Sequence, residues 1–244
     1  MSMLHRTELL LGPDSIKKLK AARVTVVGLG AVGSFAVEGL ARAGVGHLSL
    51  VDFDEVRPTN INRQLYALHS TIGRSKADLA QARVLDINPD CHVDALRLFI
   101  GAENVGQVID DRPDVLIDAI DGLTPKVTLL IAAVRGKIPN IISCMGAARR
   151  TNPSFIRAGD LLETQKCPLA SKIRKRLRKE NITTGIHCIY SVESPQGGSV
   201  EEASAIEDEV VSRGRARKPL GSLGCLTGIF GLYAAREAIM ALTR

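Results

Sequence analysis

A Rossmann-like α/β fold is what the sequence predicts: a largely parallel sheet with helices on both faces and a C-terminal substrate-facing extension. Three observations carry this. Short apolar strand patterns alternate with helical ones from residue 23 to residue 145, which sets strands parallel through helical crossovers. The run Gly28-Leu29-Gly30-Ala31-Val32-Gly33 is a GxGxxG turn between a strand pattern and a helix pattern. Asp52 follows Gly33 by 19 residues at the end of the next strand pattern, where a carboxylate can accept from both hydroxyls of a ribose.

Taken in order, residues 1–22 form a leader with a helical pattern around residues 14–19, for which Asp14 or Ser15 is a suitable N-cap, as a lid over the first strand. The first βαβ unit is RVTVVG, the glycine turn, a small-residue helix reaching Arg42, and HLSLVD. A helix is expected over residues 73–88 and strands at 91–98, 114–120 and 140–145. Beyond Gly146 the regularity fades into Pro153, a basic segment, a strand-like run at 186–193, a Gly-rich loop at 196–199 and a last helix ending near Leu242. The domain expectation is an ATP-binding core over 1–145 and an extension over 146–244, continuous with it.

Composition bounds the function. The chain has 244 residues, 45% hydrophobic, with no Trp; this is enough for one sizeable core and gives little aromatic surface for stacking bases. The cysteines Cys91, Cys144, Cys167, Cys188 and Cys225 never fall at CxxC spacing, which argues against a thiolate zinc site. With no apolar run of about 18–20 residues and no signal-like leader, the expectation is a reduced, cytoplasmic protein without a membrane partner. The net charge of +6 is patchy: residues 166–179 hold seven basic residues and no acidic one, 201–209 are acidic and 213–218 basic again. Such blocks suit a polyanionic partner, although a solvated helix face is the plainer alternative.

The glycine turn and Asp52 support an adenosine nucleotide without choosing between NAD and ATP. The choice comes from Asp54, from Asn60-Ile61-Asn62-Arg63-Gln64, from Gly73-Arg74-Ser75-Lys76 and from Asp118-Ala119-Ile120-Asp121. Arg63 and Lys76 are suited to neutralising a triphosphate as pyrophosphate leaves, and Asp121, just past a parallel strand, to holding Mg²⁺. Singly, each has a bland reading as tight packing, loop capping or a solvated helix side chain.

In this order, GxGxxG, DxD, NxNRQ, GxxK and DxxD resemble the ubiquitin-activating-enzyme-like (ThiF/MoeB/HesA) superfamily over about the first 145 residues. The resemblance implies an adenylating enzyme in which Gly28, Gly30 and Gly33 cradle ATP, Asp52 binds ribose, Asn62 lines the nucleotide, Arg63 and Lys76 hold phosphates and Asp121 holds magnesium. Arg6 resembles an N-terminal arginine that reaches ATP from the neighbouring subunit, which implies a homodimer. Sulfur-carrier adenylyltransferases of this superfamily usually carry paired CxxC motifs, absent here. CPLASKIRKRLRK followed by IHCIYSVESP resembles the tRNA threonylcarbamoyladenosine dehydratase branch instead, as do Pro125-Lys126, MGA and Gly221-Ser222. That branch implies a tRNA carrying threonylcarbamoyladenosine as substrate and a possible sulfur-relay protein partner. The alternative is an adenylyltransferase acting on the C-terminus of a ubiquitin-like sulfur-carrier protein. Two departures stand out: residues 146–150 (GAARR) carry fewer glycines than the branch pattern, and Leu223-Gly224-Cys225-Leu226 replaces its usual residues. Cys188 or Cys225 could serve as an acyl acceptor, or be a small apolar core residue.

Overall fold

In a computed structural model describing residues 2–196 and 220–244, the apolar strand patterns become one seven-stranded sheet. Along the chain the elements are α1 (His5–Leu11), α2 (Pro13–Ala21), β1 (Arg23–Val27), α3 (Gly33–Ala43), β2 (His47–Val51), α4 (Lys76–Ile87) and β3 (His92–Leu96). They continue with α5 (Gly106–Ile109), β4 (Val115–Asp118), α6 (Leu123–Arg135), β5 (Asn140–Cys144), β6 (Ile156–Asp160), α7 (Pro168–Lys179), β7 (His187–Ser191) and α8 (Gly224–Thr243). The acidic run at 201–209, the basic run at 213–218 and most of the expected Gly-rich loop lie outside the described residues.

The strand order is β3-β2-β1-β4-β5-β7-β6. Every pairing is parallel except that of β6 with β7, which is antiparallel. Strands β1, β4 and β5 are buried at every position but the first residue of β1 and of β5, as strands covered on both faces are. From β1 the chain crosses outward to β2 and β3, then returns to the other side of β1 as β4. This reversal opens a crevice beyond the carboxyl ends of β1 and β4, where ligands bind in open α/β sheets.

Several elements differ from expectation for identifiable reasons. The leader is two helices rather than one, and neither Asp14 nor Ser15 caps the second: Gly12 holds the N-cap position at φ 83° and Pro13 opens the helix. Proline at the first helical position has the right φ and lacks only an N–H that needs no partner there, so the start moves ahead of Asp14. Ser15 Oγ instead donates to the Leu11 carbonyl at 2.7 Å. Helix α4 begins at Lys76, not Gly73, because Ser75 caps it, accepting from the Asp78 N–H. The edge strand β6 was not expected, since IRAGD carries charge and glycine rather than an apolar alternation. Within GAARR, Arg149 adopts φ 61°, and its N–H and guanidinium donate to the Gly221 and Gln196 carbonyls.

Helix α8 has the length and composition to cross a membrane, against the sequence reading that no apolar run is long enough. Here it packs on α3 and on β5, with Phe230, Ala234 and Ala238 fully buried. The contact with α3 is close enough to require glycine. A Cβ at Gly231 would stand 2.2 Å from the Val32 carbonyl, and one at Gly39 would stand 2.8 Å from Ala235 Cβ. At its start, a Cβ at Gly224 would meet the Asn62 carbonyl at 2.6 Å. The last helix therefore lies directly behind both the glycine turn and the NxNRQ loop.

Gly231→Ala should destabilise the protein by about 1–3 kcal/mol, the usual cost of overpacking. Gly159→Ala, where a Cβ would meet nothing within 4 Å, should stay within about 0.5 kcal/mol of the parent, as open surface sites do. Urea unfolding of the two variants beside the parent makes the comparison.

Candidate active site

The crevice is built on a turn that only glycine can make. Gly28 has φ 90°, and a Cβ on it would lie 2.8 Å from the Ala119 carbonyl, so β1 and β4 leave the sheet in near contact. At Gly33 a Cβ would fall 1.7 Å from the Gly28 carbonyl, which lets α3 start immediately beside the strand. Gly30 differs: the nearest atom to an added Cβ is Gln64 Nε2, at 3.6 Å. Two of the glycines are thus packing requirements, while Gly30 leaves room at the start of α3, where backbone N–H groups favour an anion.

On one side of this turn lies Asp52, at the end of β2 and only 8% exposed. Its Oδ2 accepts from the Leu29 N–H at 2.6 Å and its Oδ1 from the Asp54 N–H at 2.8 Å. One lone pair per oxygen is thus spent on holding the loop, which leaves the others for ribose hydroxyls. Burial pushes the Asp52 carboxyl up, opposed by the Lys76 ammonium and the two backbone N–H groups. Lys76 is buried, with Nζ 3.0 Å from Asp54 Oδ2, and its N–H donates to the Asp54 carbonyl. The DxD and GxxK motifs therefore form one polar network beside the glycine turn.

The NxNRQ segment closes the front. Asn60 is buried and its Oδ1 accepts from the Arg57 N–H, while its carbonyl accepts from the Arg63 and Gln64 N–H groups. Asn62 is exposed, with Nδ2 3.4 Å from the Ser222 carbonyl. Arg63 is half-buried and donates to the Thr59 carbonyl and to Asn62 Oδ1. Asp121 is exposed just beyond β4. Arg6 does not join this cluster. Its helix α1 follows Leu4, which packs on Gly44 beyond the far end of α3, so α3, about 16 Å long, separates them.

On the other side of the turn stands a pair that the motif reading passed over. Asp118 and Lys126 are both wholly buried, Nζ to Oδ2 2.8 Å. Ser143 Oγ donates to Asp118 Oδ2 at 2.7 Å and the Ile120 N–H to Oδ1, while Lys126 Nζ donates to the Ile120 carbonyl at 3.0 Å. Burial pushes the Asp118 carboxyl up, and Lys126, Ser143 and Ile120 pull it back. In sequence the two residues lie eight apart in DAIDGLTPK, with no local pattern that pairs them.

A family model described as the ThiF family matches residues 4–244. The chain belongs to the ThiF family. Among relatives, the tRNA threonylcarbamoyladenosine dehydratase of Bacillus subtilis (strain 168) is 40% identical over 245 residues, spanning 99% of this chain and 96% of the relative. The crystal structure of the E. coli tRNA N6-threonylcarbamoyladenosine dehydratase in complex with AMP matches with a TM-score of 0.86 at 32% identity, covering 98% and 92% of the two chains. The sulfur carrier protein ThiS adenylyltransferase of Bacillus subtilis is 35% identical over only 140 residues, 56% of this chain and 41% of its own length.

In this ThiF-family chain Cys144 and Cys188 are not arranged as nucleophiles. Burial pushes the Cys144 thiol up to about 12 and drives that of Cys188 further still, whereas a reactive thiolate needs a lowered pKa. Cys225 is exposed in the first turn of α8. The basic segment forms α7, which buries Ala170, Ile173 and Leu177 and turns most of its cations outward. Arg174 is an exception: it is half-buried and donates to the Thr164 carbonyl at 2.8 Å.

Lys126→Met should cost about 3–5 kcal/mol at pH 7, the loss expected when one partner of a buried ion pair is removed. Without the ammonium, the folded-state pKa of Asp118 rises further above its unfolded value. The penalty is then full above the folded pKa and fades as pH falls toward the unfolded one. The deficit relative to the parent should accordingly shrink in urea melts at acidic pH, and adding Asp118→Asn should recover about 1–2 kcal/mol at pH 7 by removing the bare buried carboxylate.

Proposed function

We propose that this chain is an ATP-dependent dehydratase of the ligase or cyclase type, which adenylates the threonyl carboxylate of threonylcarbamoyladenosine in tRNA and drives its cyclisation. The observation that carries the proposal is end-to-end likeness to dehydratases of this kind, one of them described with AMP bound, joined to the glycine turn, Asp52 and Lys76 gathered at the sheet's reversal point. The likeness to the ThiS adenylyltransferase covers little more than half of the chain, which makes the carrier-protein alternative the weaker reading.

The chemistry follows from leaving groups. A carboxylate cannot be attacked with loss of oxide, so its oxygen first attacks the α-phosphorus of ATP, the bond to pyrophosphate breaks, and an acyl-adenylate forms. A nearby atom of the same threonylcarbamoyl group then attacks the acyl carbon, the bond to AMP breaks and the ring closes with net loss of one water. In this scheme the turn of Gly28, Gly30 and Gly33 receives the phosphates through its N–H groups after Leu29, since those of Gly28 and Leu29 donate to the Val51 carbonyl and to Asp52, and Asp52 accepts from the ribose hydroxyls. Asn62 lines the nucleotide, and Arg63 and Lys76 balance charge on the departing pyrophosphate. The exposed carboxylate of Asp121 at the rim suits Mg²⁺, which would add positive charge at the same leaving group. Ring closure is intramolecular and needs orientation and exclusion of water more than a nucleophile from the protein.

In this reading residues 1–145 carry the nucleotide chemistry and 146–244 the substrate contacts, within one sheet. The cytoplasm, where ATP and tRNA meet, is the fitting location, and no membrane is involved. A homodimer would let Arg6 of one subunit reach ATP on the other, and the exposed Leu9 and Leu10 of α1, 75% and 81% accessible, suit such an interface. Family resemblance adds a sulfur-relay protein as a further proposed partner.

Asp121→Asn and Lys76→Ala should each lower tRNA-dependent exchange of labelled pyrophosphate into ATP by about 100-fold or more, the scale for losing one preorganised electrostatic group. Circular dichroism checks that they are folded. Retention of near-parent exchange by a folded variant removes that residue from the mechanism.

The outward cations of α7 are the proposed docking surface for tRNA. Because Arg174 is tied to Thr164, the informative substitutions are Lys172→Glu, Lys175→Glu and Arg178→Glu together. They should raise the Kd for tRNA and reduce the slope of log K against log salt by about 0.7–0.9 per lost phosphate contact, with ATP binding unchanged. An unaltered salt slope would place tRNA elsewhere.

A further inference from the structure

At the opposite end of the sheet from the nucleotide crevice, two strands bring three potential metal ligands together. His47 opens β2 and His92 opens β3, and the parallel register sets them directly side by side. Asp94, two residues after His92, lies on the same face. His47 Nε2 is 2.7 Å from Asp94 Oδ2 and His92 Nε2 is 3.3 Å from Asp94 Oδ1. The two imidazoles stand edge to face, with centroids 4.5 Å apart, and one donor atom from each of the three residues lies within 4.8 Å of the others.

We propose that His47, His92 and Asp94 form a zinc-binding site that clips the edge strand β3 to β2. The ligand set is two imidazoles and one carboxylate, the mixture that zinc accepts and that magnesium and calcium, which seek oxygen, do not. The two imidazole-to-carboxylate separations, 2.7 and 3.3 Å, lie beside the spacing of about 3.3 Å that bonds of about 2.0–2.1 Å in a tetrahedron give, so small side-chain adjustments would close the set around one ion. The frame is rigid: the His47 N–H donates to the Ala22 carbonyl and the His92 N–H to the Gly46 carbonyl, so little main-chain ordering accompanies binding.

The access is also suitable. The His47 side chain is 16% exposed and the His92 side chain 69%, which gives one anchored ligand and one at the surface, with solvent free to supply the fourth. The neighbouring cation, Arg23, is paired with Asp111. One divalent ion would satisfy the carboxylate and both imidazoles together. The site is separate from the chemistry, because five residues of extended chain, about 16 Å, divide His47 from Asp52.

The test is calorimetric titration of untagged, chelator-treated protein with Zn²⁺, with Co²⁺ absorption as a reporter of tetrahedral geometry. Parent protein should take up one equivalent, and Tm should rise with zinc concentration. His92→Ala, at an exposed position that cannot upset the core, and Asp94→Asn should each weaken binding by about tenfold or more, as loss of a ligand requires. His187→Ala, which alters a histidine elsewhere, should bind as the parent does. ATP–pyrophosphate exchange should be the same with and without zinc, so failure of this site and failure of the adenylation reading are distinguishable. No saturable uptake by the parent, or parent-like uptake by His92→Ala, would overturn the proposal.

Discussion

The buried ion pair between Asp118 and Lys126 is the constraint on which the crevice depends. Two charges with no exposed surface persist only where hydrogen bonds satisfy them from several sides. Here Ser143 on β5, the Ile120 N–H beyond β4 and the Ile120 carbonyl supply those bonds. The pair thereby ties the ends of β4 and β5 to the start of α6 and holds the Ala119 carbonyl where it limits Gly28 to glycine. The position of the phosphate turn is set from the neighbouring strand as much as from its own motif.

A second constraint runs from the far end of the chain. Helix α8 reaches the Val32 carbonyl through Gly231 and the Asn62 carbonyl through Gly224. Both contacts are backbone approaches that any side chain would obstruct. A segment that looks like a C-terminal appendage is in this way the rear wall of the nucleotide crevice, and strand β7 lies in the same sheet beside β5. Parallel strands buried on both faces need such cover, and the apolar character of α8 reflects its place between α3 and the sheet.

Charge is divided according to position. Around the crevice the carboxylates of Asp52 and Asp54 are tied to backbone N–H groups or to Lys76, so their geometry is fixed before a ligand arrives and little reorganisation accompanies binding. On α7 the long cations face water, where they add little to stability, while Ile173 and Leu177 hold the helix to the core. The two settings differ physically: polar groups held by hydrogen bonds around the crevice, and solvent-exposed cations along α7.

Much of the N-terminal half was legible in the sequence because its signals are local. A strand, a glycine turn and a helix are written in consecutive residues, and Asp52 falls where a second strand of ordinary length must end. The strand-like run at 186–193 also located β7, whereas the starts of α2 and α4 shifted where a proline or a single cap decided them, at Pro13 and Ser75. The edge strand β6 was not legible, because its pairing depends on β7 rather than on a pattern of its own. The role of Lys126 was hidden as well, since nothing in a helix sequence says that one lysine points at an aspartate on the preceding strand. By itself the sequence determined the alternation of strands and helices from β1 to β5, the glycine turn and the inventory of polar groups at strand ends. Tertiary structure alone decided which of those groups are structural and which face the crevice: burial and partnership are properties of segments distant in the chain that meet only once the sheet has closed.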